Sequence, residues 1–141
     1  MIRAFAEKDL SVTMQIWLEA NIAAHHFIPL AYWTEHYEMV KSLLPQAEVY
    51  VYEEEQQIGG FIGLSGDYIE GIFVREGVRS KGIGKQLLAH AKRLKPRLRL
   101  SVYQQNTRAI RFYQREGFVI QSESMDDATQ QKEYEMVWRK A

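Results

Sequence analysis

Apolar residues recur along the 141-residue chain with two different periods, and these periods predict its strands and helices. Alternating apolar and polar positions, rich in β-branched and aromatic residues, predict strands at 2–5, 48–53, 58–64, 68–74, 98–103, 118–122 and 134–139. Apolar spacings of three and four predict helices at 10–24 after the N-cap Asp9, at about 30–44 before Pro45, at 86–94 before Pro96, and from the N-cap Asn106 to Gly117.

The predicted order of elements is β α α β β β α β α β β. Runs of consecutive strands with interspersed helices favour an α+β fold with a mixed sheet over an alternating, doubly wound α/β sheet. The chain contains no internal repeat, low-complexity tract or linker rich in Pro, Gly and Ser. We therefore expect one domain over residues 1–141, which is long enough to bury a substantial core.

The composition excludes several classes of protein. The chain has no cysteine, which rules out disulfides, thiolate metal sites and a cysteine nucleophile. The four histidines lack the spacing of metal ligands, so no metal is expected. No apolar run approaches the roughly 20 residues that span a bilayer, and the first residues do not read as a signal peptide. The expected protein is cytoplasmic and has no membrane partner.

Charge is distributed unevenly, although 18 basic and 18 acidic side chains balance. Residues 1–74 carry a net charge of −8, residues 75–115 a net of +11, and residues 116–141 a net of −3. Such asymmetry suggests an anionic partner for the basic segment.

A glycine-containing loop in the basic segment is a candidate anion site. Arg79-Ser80-Lys81-Gly82-Ile83-Gly84-Lys85 joins a predicted strand to a helix N-terminus, where free N–H groups and the helix dipole favour phosphate. The loop is neither a P-loop, which needs Ser or Thr where Gln86 stands, nor a dinucleotide fingerprint, which needs a small residue at Leu87. Taken alone, it is equally consistent with a turn that has a solvated basic rim.

A second cluster begins 22 residues after Gly84. The pattern Arg79-x-x-Gly82-x-Gly84, then Asn106, then Phe112-Tyr113-x-x-x-Gly117-Phe118, resembles the GNAT superfamily of acyl-CoA-dependent N-acetyltransferases, and most of all its small stand-alone bacterial members. The resemblance covers essentially the whole chain. It implies a mixed, mostly antiparallel twisted sheet of about seven strands with about four helices, in which two strands splay apart to hold acyl-CoA.

The resemblance also implies roles for individual residues. Backbone groups of Ile72, Phe73 and Val74 would pair with pantetheine, and one N–H would polarise the thioester carbonyl. The segment Arg79, Ser80, Lys81, Gly82, Ile83, Gly84 and Lys85 would wrap the pyrophosphate of acetyl-CoA, and Asn106 would hold the pantetheine arm. Tyr113 would protonate the leaving thiolate. Its alternative role is that of a core aromatic residue.

The base and the acceptor site are less well marked. Some members of the family have a glutamate base where this chain has Ser101, and Glu70 is the best remaining carboxylate, although it is equally a solvated strand charge. Tyr68, His26 and Phe27 lie in regions expected to line the acceptor site, or simply to pack. Without a cysteine, direct transfer from acetyl-CoA to a primary amine in a ternary complex is the expected mechanism.

Two other functions remain open. The chain could be a non-catalytic acyl-CoA-binding sensor or partner module, because an obvious base is missing. Its basic residues could contact nucleic acid, but no RNA-binding signature is present and we expect no such partner. The acidic N-terminal segment would suit a cationic acceptor, such as a protein lysine or a small cationic amine. The oligomeric state cannot be read from the sequence.

Overall fold

The computed structural model describes residues 1–77 and 82–141, which form one seven-stranded sheet with helices packed against it. The strands are β1 Ile2–Ala4, β2 Glu48–Glu54, β3 Gln57–Ser65, β4 Tyr68–Val74, β5 Arg97–Tyr103, β6 Val119–Asp126 and β7 Gln131–Arg139. The helices are α1 Leu10–Ala24, α2 Leu30–Leu43, α3 Ile83–Leu94 and α4 Thr107–Arg115, with short 3-10 turns at Glu7–Asp9 and Leu44–Gln46.

The strands lie in the order β1-β2-β3-β4-β5-β7-β6. Neighbouring strands are antiparallel except β4 and β5, which are parallel. The predicted order of elements and the mixed, mostly antiparallel sheet are therefore confirmed. Because β7 returns between β5 and β6, the last strand brings residues from the end of the chain beside the middle of the sheet.

Alternation along the strands gives the sheet two buried faces. On β2, Val49 and Val51 pack in a cluster with Met14, Trp17 and Trp33 of α1 and α2. Tyr50 and Tyr52 point the other way, into the cluster formed with α3 and α4. Because side chains alternate between faces every residue, each helix pair covers one face. The sheet is the middle layer of three.

A partly buried ion pair fixes the start of α1 to the sheet. The guanidinium of Arg3 donates to both carboxylate oxygens of Asp9, at 2.8 and 3.0 Å, and also contacts Glu53. Asp9 is only 3% exposed, and its carboxylate accepts from the N–H of Ala6. Asp9 is at the N-cap position of α1, as predicted. Its side chain makes no capping hydrogen bond to that helix, because it binds Arg3 and the N–H of Ala6 instead.

Several element boundaries differ from the predicted ones by a few residues. Helix α3 begins at Ile83 rather than at 86, because Gly82 is left-handed (φ 72°) and ends the loop there. The β2–β3 hairpin turns at Glu55 and Gln56, both with positive φ, as the commonest two-residue hairpin turn requires. Strands β6 and β7 are longer than predicted, since the added residues 123–126 and 131–133 are almost all polar and show no apolar alternation.

Candidate active site

The parallel strands β4 and β5 separate soon after they meet. In the described part of the chain they pair only at Tyr68 and Arg99, where the N–H of Arg99 donates to the carbonyl of Asp67 at 3.0 Å. The carboxylate of Asp67 accepts from both Arg97 and Arg99, each at 2.9 Å. These hydrogen bonds hold β4 and β5 together at one end of the gap, and the two strands diverge from this point.

An irregularity in β4 coincides with the divergence. Leu64 pairs with Ile69 and the next residue of β3, Gly63, pairs with Gly71, so Glu70 is an extra residue in the ladder. A β-bulge of this kind bends a strand and shifts the alternation of its backbone groups.

The shift decides which backbone groups of β4 face the gap. The N–H of Arg75 donates to Gly59 on β3, and alternate residues of an antiparallel strand point their N–H and C=O groups to the same side. The groups of Phe73 therefore face β3, whereas those of Ile72 and Val74 face the gap. Of the three residues expected to present their backbone, only these two are oriented to do so, and Phe73 contributes its side chain.

A cavity of about 1030 Å³ occupies the gap, and residues on both sides of the sheet line it. Its walls include Gly82, Gly84, Lys85, Phe112 and Tyr113 on the α3–α4 side. Trp17, Trp33, His25, Tyr103 and Glu133 line it on the α1–α2 side. This volume is at the upper end of the range of small-molecule sites.

The N-terminus of α3 forms one end of the cavity. The first N–H groups of a helix have no partner within it, and here they belong to Ile83, Gly84 and Lys85, behind the left-handed Gly82. Lys85 is exposed and lines the cavity. The side chain of Ile83 is 2% exposed and packs in the core, so Ile83 offers only its backbone. The predicted residues Arg79, Ser80 and Lys81 lie outside the described residues.

Tyr113 lies on the cavity wall and is 8% exposed. Its ring packs against Phe112 and Phe118, with centroids at 5.2 and 5.4 Å. Within the described ranges its phenol makes no hydrogen bond, and burial, reinforced by the Tyr68 hydroxyl, raises the pKa of Tyr113 well above its usual value. The phenol therefore carries its proton at neutral pH and can donate it into the cavity.

Asn106 is the N-cap of α4, as predicted. Its Oδ1 accepts from the N–H of Ala109 at 3.2 Å, and its Nδ2 lies 3.3 Å from Nε2 of His25, the residue that ends α1. Since an amide nitrogen can only donate, Nε2 accepts and the ring proton belongs on Nδ1. Burial lowers the pKa of His25 to about 4, so the imidazole is neutral at pH 7.

The acceptor side differs from the sequence-based expectation. Tyr68 and Glu70 line the cavity, with Glu70 exposed. His26 is exposed and Phe27 packs against the rings of His25 and Tyr103. Neither lines the cavity that the described residues form, and their role in acceptor binding stays a prediction. His25 faces the site instead. Tyr103 and Glu133 also face it, and no motif pointed to either of them.

Residues 1–77 and 82–141 contain no group of three His, Asp or Glu side chains that could hold a metal ion. None of the helices in these ranges is long and apolar enough to cross a membrane.

Comparison with known proteins identifies relatives of this chain. The model of the acetyltransferase (GNAT) domain family matches residues 45–120. The chain is 34% identical over 140 residues to the peptidyl-lysine N-acetyltransferase YiaC of Escherichia coli (strain K12), covering 98% of this chain and 96% of that protein.

Solved structures agree with this relationship. The solution structure of apo YjaB from Escherichia coli superposes with a TM-score of 0.88 at 31% identity, covering 100% of this chain and 98% of that one. PaiA N-acetyltransferase of Thermoplasma acidophilum, solved in complex with coenzyme A, shares the fold with a TM-score of 0.80 at 18% identity and covers 99% and 98% of the two chains.

Proposed function

This chain belongs to the GNAT family of acetyltransferases, and on that premise we propose that its acceptor is the ε-amine of lysine in peptides or proteins. It is an N-acetyltransferase that moves the acetyl group of acetyl-CoA to an amine. The choice of lysine is supported by YiaC, which is named for that substrate and aligns with this chain over nearly its full length. Part of the cavity wall lies on the side of the sheet away from α3, where an extended side chain could be accommodated.

The donor would lie in the gap between β4 and β5. The inward-facing backbone groups of Ile72 and Val74 can replace the missing strand pairing by bonding to an amide-containing arm. The free N–H groups at Gly84 and Lys85, with the Lys85 charge, suit a pyrophosphate. Asn106 already uses its carbonyl as a cap, so its amide N–H is the group it can turn toward the arm. Arg79, Ser80 and Lys81 remain predicted contributors.

The chemistry assigned to this chain concerns proton transfer and charge. Acetyl-CoA supplies an acetyl group activated as a thioester. Tyr113 holds its proton at neutral pH and would donate it to the sulfur that leaves. An N–H of Ile72 or Val74, aimed at the gap, would stabilise the oxygen that becomes negative when the amine attacks. With no cysteine in the chain, the amine attacks the thioester directly.

One observation carries the proposal: the cavity runs through the sheet, with the helix N-terminus on one side and an aromatic, acidic wall on the other. This arrangement would let donor and acceptor occupy opposite sides of the sheet and meet beside Tyr113. A non-catalytic acyl-CoA-binding module would need no acceptor space on the second side. The family and the names of its relatives also favour an enzyme.

The proposal is tested by incubating the protein with acetyl-CoA and a panel of acceptors. The panel contains N-terminally blocked peptides with one lysine, the same peptides with norleucine in place of lysine, and small polyamines. We expect thiol release only with lysine peptides, matched mole for mole by acetyl-lysine in mass spectra. Turnover with polyamines alone would replace the proposed acceptor class.

A further inference from the structure

Among the described residues, three acidic side chains line the cavity, and they differ in their surroundings. Glu70 is exposed at the β4 bulge. Glu116 lies at the end of α4, where its carbonyl accepts a hydrogen bond from Lys92 of α3. Glu133 is half-buried in the middle of β7. Only Glu133 combines partial burial with a place on the side of the sheet covered by α1 and α2.

The register of β5 and β7 brings Glu133 to the site. Glu133 pairs directly with Tyr103, and side chains of paired residues lie on the same face of a sheet. The ring of Tyr103 contacts His25 and Phe27, with centroids at 5.2 and 5.7 Å. Glu133 is therefore on the α1–α2 side, opposite the side where α3 begins.

The carboxylate of Glu133 has no hydrogen bond or ion pair within residues 1–77 and 82–141. Its backbone carbonyl alone is engaged, accepting from Gln104 at 3.3 Å. A half-buried carboxylate without a partner is unfavourable, and a cation entering the cavity would compensate it.

The groups around Glu133 strengthen its affinity for a proton. Burial is the largest cause of its raised pKa, followed by the negative charges of Asp126 and Glu135. The titratable groups that face it from its own strand and from the neighbouring elements are Glu135 on β7, Asp126 on β6, Tyr103 on β5, Tyr32 on α2 and His25 at the end of α1. The phenols have raised pKa values and His25 is neutral above pH 4, so none of these five supplies a positive charge at pH 7.

We propose that the carboxylate of Glu133 binds the ammonium group of the acceptor and accepts its proton. The inference rests on the proposed function and adds a base that neither the sequence motif nor the predicted Glu70 provides.

The proton balance of the reaction is as follows. One N–H bond of the ammonium breaks, its proton forms an O–H bond on Glu133, and the freed nitrogen lone pair attacks the thioester carbon. The C–S bond breaks with its electron pair on sulfur, which takes the Tyr113 proton. The second N–H proton returns to the Tyr113 oxygen, and Glu133 releases its proton to solvent, so one proton leaves per acetyl group transferred.

Burial favours the proton transfer by acting on both the lysine ammonium, which gives up the proton, and the Glu133 carboxylate, which accepts it. Ordinary pKa values of about 10.4 for lysine and about 4.3 for glutamate leave the proton on the amine by a factor of about 10⁶. Desolvation disfavours both charged forms, so it lowers the amine pKa and raises the carboxyl pKa. Exposed Glu70 lacks this advantage.

The test compares kcat/KM for acetylation of one lysine peptide by the wild type and by each variant, between pH 7 and 9.5. The peptide is one that the wild type acetylates. Glu133→Gln removes the base and keeps the shape. Glu38→Gln is the control, since Glu38 is an exposed carboxylate on α2 that does not line the cavity and is not among the groups that act on Glu133. Glu70→Gln tests the competing carboxylate. Melting temperature and acetyl-CoA affinity are measured for each variant, to separate folding and donor binding from the acceptor step.

We expect Glu133→Gln to lower kcat/KM by about 10²-fold at pH 7. The loss should shrink about tenfold per pH unit, because the variant depends on free amine from solution. Glu133→Asp should lose rate without acquiring this slope, which keeps the test valid if Glu133→Gln does not fold. Glu38→Gln should match the wild type.

A loss that stays constant with pH would mean that Glu133 only binds or supports the site, and it would overturn the assignment of the base. Wild-type rates in Glu133→Gln, or the pH-dependent loss in Glu70→Gln instead, would also overturn it. If the wild type acetylates no lysine peptide at all, the proposed acceptor fails, and this inference fails with it. That outcome is distinct from a normally active wild type with an unaffected Glu133 variant.

Discussion

Buried side chains with shifted pKa values set the protonation states on the cavity wall. Burial keeps the phenol of Tyr113 protonated and His25 neutral at pH 7. The neutral ring of His25 accepts from Asn106 and stacks on Trp33, with centroids 5.3 Å apart. Nδ1 of His25 and Nε1 of Trp33 are buried and find no partner in the described part of the chain. His25 therefore joins the end of α1 to the start of α4 only in its uncharged form.

Acid should weaken this junction. The folded pKa of His25, about 4, lies below its ordinary value of 6.5, so its contribution to stability is complete above pH 6.5 and is lost as the pH falls toward 4. The loss should amount to about 2–3 kcal/mol. Urea unfolding of wild type and His25→Gln at pH 7, 5.5 and 4.5 measures it, because glutamine cannot titrate.

The control is His26→Gln, which removes an exposed imidazole at the next position. We expect the wild type and His26→Gln to lose stability more steeply with acid than His25→Gln. Parallel pH dependences for all three proteins would contradict the burial of an uncharged His25.

Some residues of the site could be predicted from the sequence and others could not. The motif led to Asn106 and Gly82, which begin helices, and to Tyr113 near the end of α4. It did not indicate that His25 lines the cavity rather than His26 or Phe27, because which residue of a short loop faces inward depends on the backbone turn that ends α1. Glu133 carries no local signal, and only its register with Tyr103 brings it to the cavity.

At the scale of elements, the irregular strand β4 determines the site. Its bounds, Tyr68–Val74, are those that the apolar pattern predicts. The separation from β5 was implied only by the family resemblance, because alternation does not reveal where a ladder gains a residue. The extra residue Glu70 turns the groups of Ile72 and Val74 toward the gap. Strand β3 holds β4 in this position from the other side.

Gly60 of β3 should be essential to this support. A Cβ there would lie 2.7 Å from the carbonyl oxygen of Phe73 and 3.3 Å from Cα of Val74, which are backbone atoms that cannot move aside independently. We expect Gly60→Ala to destabilise the protein by about 1–3 kcal/mol and to weaken acetyl-CoA binding, because β4 must shift. Urea unfolding and calorimetric titration measure the two effects.

Gly63→Ala is the matched control on the same strand. Its added Cβ would meet only Cβ of Glu70, at an ordinary 3.8 Å. Acetyl-CoA affinity should stay close to that of the wild type in this variant. Equal effects of the two substitutions would mean that the approach of β3 to β4 does not control the donor site.

At the scale of the whole molecule, the fold divides the basic segment 75–115 between structure and site. Lys95 pairs with Glu48, and Arg97 and Arg99 pair with Asp67. Lys85, Arg108 and Arg115 line the cavity instead. The net charge of this segment therefore reflects structural ion pairs as well as the expected anion site, and its magnitude does not indicate how many basic residues belong to that site. The single domain, the cytoplasmic location and the absence of a nucleic-acid partner stay predictions.

Acetyl-CoA should stabilise the folded protein strongly if it fills the gap. Ligand at 100 times its dissociation constant adds about 2.7 kcal/mol, which corresponds to a rise in melting temperature of roughly 5–12 °C for a chain of this length. Thermal melts with and without acetyl-CoA measure the shift, with acetate as the control. No shift near millimolar acetyl-CoA would contradict the donor site.

The central claim, that acetyl transfer takes place in the β4–β5 gap beside Tyr113, is tested most directly by Tyr113→Phe. The measurement is thiol release with a lysine peptide, together with acetyl-CoA affinity by calorimetry; Tyr50→Phe, whose phenol bonds Glu48 outside the cavity, is the control. We predict that kcat falls by about 10²-fold while acetyl-CoA affinity changes less than about twofold and Tyr50→Phe stays active. Unchanged turnover in Tyr113→Phe would contradict the account.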